Sequence, residues 1–382
     1  MSQQTAIVIG AGIVGLATAR ALSLKGYQVT VIERNQKAVG ASIRNFGMVW
    51  PIGQPDGVLY NRAIRSKEIW KEIADSVGIW YDEVGSLHLA YHDDEWIVLQ
   101  ELYDFFLANG RQVKLMDQES ILHSYNGINP ENLRGGLFSS TEMIIDPREA
   151  IAKVPDYLSE YLDVTFIWNT TIVEINGNHL KAGNQHFKAD IIFVCSGSDL
   201  ETLYPDLLLD QPITKCKLQM MRFVPFENDW RIGTSICGGL SLIHYHSFKA
   251  APSLQKLKNR YNAEMEVYLD NGIHVMVSQN ERGELTVGDT HEYAHAFDPF
   301  DKIHLNNRIL NYLKTFALSE NWEMVQSWHG IYTKMTNSAT ELLLHPEPNV
   351  YILNGLGGNG MTLAFGLAEE TIKSINLSLL SG

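Results

Sequence analysis

The chain has 382 residues, 45% of them hydrophobic and 19% charged, a globular composition long enough for two domains or one large domain with an insertion. Thirty Lys and Arg against 44 Asp and Glu leave a net charge of −14, which argues against nucleic acid or an anionic membrane as main partner, since both reward a positive surface. Cys195, Cys216 and Cys237 lie far apart without CxxC or Cys/His spacing, which argues against a disulfide framework or zinc site and for a reducing compartment.

The start, Met1-Ser2-Gln3-Gln4-Thr5, has no basic n-region, and the apolar stretch 6–19 is too short to span a bilayer. A cytoplasmic protein without membrane insertion is expected. Thr5–Ile9 is an apolar run of the kind that fills a buried parallel strand. It leads into Gly10-Ala11-Gly12-Ile13-Val14-Gly15 and a helical stretch that stops at Gly26; a second strand, Gln28–Ile32, ends in Glu33. Gly10 permits a tight turn, Gly12 a close approach to a pyrophosphate, and Gly15 close helix–strand packing. The helix start at Ile13 and Val14 offers N–H groups to phosphates, and Glu33 can accept ribose hydroxyls. A dinucleotide site is expected, with the choice between FAD and NAD open at this point.

Later in the chain, 190–195 leads into Ser196-Gly197-Ser198, and Val350–Asn354 leads into a glycine-rich turn and a C-terminal helix over about 363–377. Both read as further buried strands of the nucleotide-binding domain, which is therefore discontinuous over 1–47, 146–215 and 326–382. Between these pieces, Ser86–Ala90 and 274–278 look like half-buried strands, 284–288 like the second arm of a hairpin, and 94–109 and 254–269 like helices. A substrate domain over 48–145 and 216–325 is expected, an antiparallel sheet with flanking helices. The fold class is α/β, a Rossmann-like domain joined to this second one.

These features together resemble the D-amino-acid-oxidase-like flavoprotein superfamily, especially its glycine oxidase and monomeric sarcosine oxidase branch. The resemblance is carried by Gly10, Gly12 and Gly15 with Glu33-Arg34, by Ala41-Ser42, and by Ile145-Asp146-Pro147-Arg148. It continues with Val194-Cys195-Ser196-Gly197, Trp328-His329-Gly330 and Gly357-Gly358-Asn359-Gly360-Met361-Thr362, all in family order. It implies FAD, and oxidation of a substrate C–N bond by hydride transfer to flavin N5, with hydrolysis of the imine. It also implies cofactor contacts from Arg34, Ala41, Ser42, Asn45, Gly47 and Met48, from Ser196 and Gly197, and from the backbone of Val173 to adenine. The turn Gly358-Asn359-Gly360-Met361-Thr362 would aim N–H groups at the flavin edge where reduction places negative charge.

The departures from the family bear on the substrate. Gly330 stands where the sarcosine-oxidase branch has a flavin-bonded cysteine, so FAD is expected to be held non-covalently. Tyr332 stands where glycine oxidase has its carboxylate-binding arginine. Thr362, and a position near Thr286, replace two lysines of sarcosine oxidase. A plain α-amino acid is thereby demoted, and the electron acceptor, oxygen or another, is left open. Arg44, Lys334 and the run His244-Tyr245-His246-Ser247-Phe248-Lys249 supply replacement cations and donors. His244 and His246 are expected on one face of a strand; no third ligand is placed for a metal, and none is expected. The stretch 42–55 also looks like a subgroup linked to phosphonate catabolism, associated with aminoethylphosphonate-type amines. The expected function is FAD-dependent oxidation of a small anionic amine, an aminophosphonate or N-methylated amino compound, with Tyr332, Arg44 and His246 at the substrate. The alternatives are a 2-hydroxyacid or glycerophosphate-type dehydrogenase and a non-catalytic flavin-binding subunit.

Overall fold

The computed structural model describes residues 3–380, with side chains described to residue 375. Residues 1, 2, 381 and 382, the outer ends of the expected nucleotide-domain segments, and the side chains closing the expected C-terminal helix lie outside the described residues. The run Thr5–Ile9 becomes a central strand because both of its faces are apolar. It pairs in parallel with Gln28–Ile32 on one side and Ile191–Val194 on the other. The six-stranded sheet runs in the order Leu342–Glu347, Val350–Asn354, Ile191–Val194, Thr5–Ile9, Gln28–Ile32, Thr165–Ile167. Among the described residues its one antiparallel pair is Leu342–Glu347 with Val350–Asn354, at the edge.

Strand alternation sorts the side chains of this sheet between two cores. Ala6, Val8, Val29, Val31 and Phe193 join a cluster with the helices Ile13–Leu24, Val58–Val77, Pro147–Leu162 and Gly360–Leu380. Ile7, Ile192 and Val194 face the other way and pack with Leu180 and Ala182 of a small three-stranded meander, 174–188. Trp70 is fully buried under the last helix, its ring edge-on to Phe365 and its Nε1 donating to the Met361 carbonyl at 2.8 Å. That bond fixes the start of the helix that follows the glycine-rich turn.

A nine-stranded sheet forms the second layer system, flanked by the helices Asp93–Ala108, Leu254–Glu264 and Ile303–Phe316. It is antiparallel as expected except where Ser235–Cys237 runs parallel to Ser86–Ala90. Its longest pair, Ile213–Pro225 with Trp322–Met335, carries the chain across to the first sheet, and an isolated bridge joins Lys334 to Leu356. The expected crossings at 216 and 326 therefore fall inside continuous strands.

Three local expectations are corrected. The stretch 244–249 is no strand: it follows the 3-10 turn Gly239–Ile243 and enters a second, Ser247–Ala250. Ser241 Oγ donates to the Gly238 carbonyl, a local side-chain bond of the kind that competes with a ladder, and Ser247 Oγ donates to the distant Ile52 carbonyl. His244 and His246 consequently do not share a strand face. The expected helix 254–269 breaks at Met265 into two helices. Val173, expected to offer its backbone to adenine, precedes the strand Glu174–Asn176, and its N–H donates to the Lys181 carbonyl. All three cysteines are free and buried, and among the described residues no helix is long and apolar enough to cross a membrane.

Candidate functional site

A cavity of about 990 Å³ begins at the carboxyl ends of the parallel strands and reaches into the space beneath the large sheet. That is the upper end of the size range for small-molecule and cofactor sites. At its first end, Gly10 has φ +104°, and a Cβ there would sit 2.4 Å from the Cys195 carbonyl oxygen. A Cβ on Gly15 would sit 1.9 Å from the Gly10 oxygen. Gly15 thus does not line the cavity; it lets the helix lie close on the strand. The helix Ile13–Leu24 has no cap from its own N-cap residue and no acidic side chain in its first turn, which leaves its positive end facing the cavity at Gly12, Ile13 and Val14. Ser42 Oγ, from the next loop, accepts the Ile13 N–H at 2.9 Å.

Glu33 is 8% exposed and stands at the lip of this end. Its Oε2 accepts from the Ala11 N–H at 2.9 Å, and its Oε1 from the Asn35 N–H and Nδ2 at 3.0 Å. A carboxylate so fixed keeps lone pairs for a diol. Arg34, Ser196 and Gly197 line the same end, with Arg34 paired to Asp199 at 2.7 Å. Val173 does not: its N–H donates to the Lys181 carbonyl, and Thr170, Thr171 and Ile172 form the wall instead.

The middle of the cavity is enclosed by the loop 41–48 and the turn 357–362. Ala41, Ser42, Asn45 and Met48 line it, as do Gly358, Asn359, Gly360, Met361 and Thr362. Asn45 also holds its own loop, donating to the Ala41 and Ser42 carbonyls and accepting from the Gly47 N–H. Gly47 is at φ +73°, and a Cβ would meet the Ile145 oxygen at 2.0 Å. Its close approach is to the chain's own backbone, and it does not face the cavity. The turn and the segment 48–54 are tied together: the Trp50 N–H donates to Thr362 Oγ1 at 3.0 Å, and Gln54 Nε2 to Asn359 Oδ1 at 2.9 Å. The glycine cradle, the helix start facing the cavity, the fixed carboxylate and the enclosed middle section together fit a flavin dinucleotide.

At the far end the walls become polar and aromatic. Tyr332 lines it from Trp322–Met335, beside Cys216. Burial pushes the Tyr332 phenol well above its usual range and the Cys216 thiol up to about 12, so both stay protonated. Arg44 lines the cavity too, but its Nη1 donates to the His329 carbonyl at 3.1 Å. Lys334 reaches in with its Nζ 3.3 Å from the Tyr293 hydroxyl. His246 is on the wall, held below the usual imidazole range by burial and then by Lys249; Lys249 itself is not among the lining residues.

Sequence reasoning missed the main feature of this end. His244 opens on the cavity beside His274 and His291, with ring nitrogens of all three within 4.8 Å of one another. The third member absent from the His244/His246 pair is thus present twice, but from other elements. His274 lies just before the strand Met276–Gln279 and His291 just after Leu285–Gly288, and the register Met276 to Gly288 brings them together. That register was the signal that could have found them. Asp289 completes the group: its Oδ1 is 2.9 Å from His274 Nδ1, yet off the hydrogen-bonding direction, so neither atom finds a partner among the described residues. His291 Nδ1 lies 2.8 Å from the Gly272 carbonyl, which can only accept, so Nδ1 carries the proton. Burial and the neighbouring imidazoles hold His244 well below its usual range, and burial lowers His291.

Comparison with known proteins adds to this geometry. The family described as FAD dependent oxidoreductase matches residues 5–373. Glycerol 3-phosphate dehydrogenase of Caloramator mitchellensis is 27% identical over 146 residues, 37% of this chain and 30% of that protein. The chain therefore spans less than a third of that relative's length. Among solved structures, glycine oxidase from Geobacillus kaustophilus superposes with a TM-score of 0.77 at 18% identity, covering 97% of this chain and 94% of that one. L-alpha-glycerophosphate oxidase from Mycoplasma pneumoniae, solved with FAD bound, gives 0.76 at 18% identity over 98% and 95%. At such identities the likeness is one of fold.

Proposed function

The chain belongs to the FAD dependent oxidoreductase family, and from that premise we propose that it oxidises the C–N bond of a small amine with an anionic tail. Aminophosphonates and N-methylated amino compounds are the substrate class. The observation that carries this reading is the far end of the cavity, where Lys334, Tyr332 and several imidazoles meet. A lysine with hydroxyl and imidazole donors suits an anion.

FAD, when bound, supplies the acceptor for the hydride that leaves the substrate carbon. The chain's own residues bind and orient. Gly10, Gly12 and the helix start take the pyrophosphate, and Glu33 takes the ribose. The 358–362 turn presents backbone N–H groups to the ring, while Met48 and the loop 41–45 exclude water. The substrate amine must be neutral to release hydride, because its lone pair stabilises the positive charge that develops on carbon. His246 is assigned as the ring that accepts the ammonium proton, since it lines the far end of the cavity beside Tyr332. Tyr332, which stays protonated, donates a hydrogen bond to the substrate.

The proposed division assigns 1–47, 146–215 and 326–382 to the cofactor and 48–145 and 216–325 to the substrate; the six-stranded sheet draws all its strands from the first set, while Ile213–Pro225 and Trp322–Met335 run across the bounds at 216 and 326. The three buried, free thiols support a reducing, cytoplasmic setting. The electron acceptor is oxygen or another oxidant. A second reading, oxidation of C–OH in a 2-hydroxyacid or glycerophosphate-type substrate, is favoured by the name of the Caloramator mitchellensis relative. Anaerobic reduction of the yellow protein by amines, set against hydroxyacids and glycerol phosphate, tests the two.

A further inference from the structure

The group His244, His274, His291 and Asp289 lines the far end of the cavity, and it is costly as it stands. His274 and Asp289 are each 4% exposed, and His274 Nδ1 and Asp289 Oδ1 have no hydrogen-bond partner among the described residues. The two atoms face each other as an ion pair at 2.9 Å, off the hydrogen-bonding direction, so each keeps capacity for a better-aligned partner entering from the cavity. The three imidazoles come from three separate stretches and converge there, with His244 and His274 ring centres 3.7 Å apart. With its Nδ1 proton on the Gly272 carbonyl, His291 keeps Nε2 for the interior of the group, 3.9 Å from Asp289 Oδ2.

We propose that His244, His274, His291 and Lys334 form the receptor for the substrate's anionic tail, and that this receptor selects a doubly charged tail over a singly charged one. The proposal rests on the amine reading above and adds to it which residues hold the tail and which charge they prefer. With the receptor empty, Lys334 and Asp289 offset each other, and burial holds His244 and His291 toward the neutral form. A dianion then requires two further positive charges, and His244 and His291 supply them by taking up protons. A monoanion requires only one, and gains fewer charge-assisted contacts.

The surroundings of the imidazoles are consistent with that exchange. Asp289 favours the charged form of His291, whereas Lys334, His246 and the mutual repulsion of the rings oppose charging of His244. The phenols of Tyr245, Tyr293 and Tyr332 are pushed upward by burial and remain neutral donors. Protons therefore arrive with the dianion, and its affinity falls as pH rises above the ordinary imidazole range. A divalent metal is the competing guest. Lys334 repels it, while the same ammonium attracts an anion.

The test uses yellow holoenzyme and two tetrahedral probes without an amine, sulfate as dianion and methanesulfonate as monoanion. Calorimetry near neutral pH, in two buffers of different ionisation enthalpy, reads affinity and proton uptake together. Sulfate is expected to bind at least roughly tenfold tighter, with proton uptake, and His244→Ala and Lys334→Met are each expected to weaken it by roughly ten- to a hundredfold, the worth of one charge-assisted contact. Flavin content should not change in either variant. Equal affinities, sulfate binding without proton uptake, or a divalent metal retained at one per chain on the three histidines would overturn the proposal. If sulfate binds as expected but no amine bleaches the flavin, the amine reading fails and the receptor stands. If amines bleach the flavin with unchanged substrate constants in both variants, the receptor fails and the amine reading stands.

Discussion

Glu33 both faces the cofactor end and holds the turn before the first helix, since it accepts the Ala11 N–H as well as two bonds from Asn35. Glu33→Ala is therefore expected to lower flavin occupancy after dialysis and to destabilise the apoprotein by about 1–3 kcal/mol, the usual penalty of an orphaned buried N–H, without unfolding it. Unchanged occupancy would count against the ribose assignment. Gly330 makes a different point. A Cβ there would lie 3.3 Å from the Arg44 oxygen and 3.4 Å from Arg44 Cβ, so a flavin-bonded cysteine has no room without a shift. Acid precipitation is expected to release all FAD into the supernatant, and a coloured pellet would contradict this. The glycines and Glu33 were legible in the sequence because each answers to neighbours a turn or a strand away. Gly47 and Val173 were not, because what they touch, Ile145 and Lys181, is set by tertiary pairing.

Among the elements, the loop 41–45 and the strand Trp322–Met335 form the join between the two sheets' shares of the cavity. Arg44 fastens them: its Nη1 donates to the His329 carbonyl, and its own carbonyl accepts from Trp328 Nε1 at 3.4 Å. With that arm engaged, we propose that Arg44 acts on the cofactor loop more than on the substrate tail. Arg44→Ala is expected to weaken flavin retention, seen as faster loss of colour on dialysis, while sulfate affinity of the remaining holoenzyme stays within about twofold of wild type. A large loss of anion affinity with full flavin would return Arg44 to the tail. Thr5–Ile9, Ile191–Val194 and Val350–Asn354 were legible as apolar runs leading into glycine turns, and Gln28–Ile32 as one ending in Glu33, whereas the edge strands Thr165–Ile167 and Leu342–Glu347 were not. The stretch 244–249 misled because six residues of polar and apolar alternation also fit a pair of tight turns once Ser241 and Ser247 bond to backbone carbonyls. The convergence of His274 and His291 depends on the register of Met276–Gln279 against Leu285–Gly288, which had to be worked out from the hairpin before either histidine could be placed.

At the scale of the whole molecule, the large sheet carries a buried histidine outside the cavity. His88 is fully buried against Phe248, and its Nε2 has no partner among the described residues. Burial pushes its pKa down to about 3 from 6.5. The unfolded chain therefore takes up a proton on His88 below pH 6.5 that the folded one refuses, and stability falls with pH by up to about 1.4 kcal/mol per unit. Urea midpoints at about pH 7 and about pH 5 should differ less in His88→Leu than in wild type, and an equal difference would show that His88 does not contribute. The central claim concerns the cavity as a whole, with a flavin in its middle and an anionic amine at its far end. Anaerobic titration of the purified yellow protein tests it most directly, with aminoethylphosphonate and N-methylated amino compounds set against hydroxyacids and glycerol phosphate. The account predicts loss of the flavin colour with the amines and none with the alcohols; bleaching by the alcohols alone would contradict it.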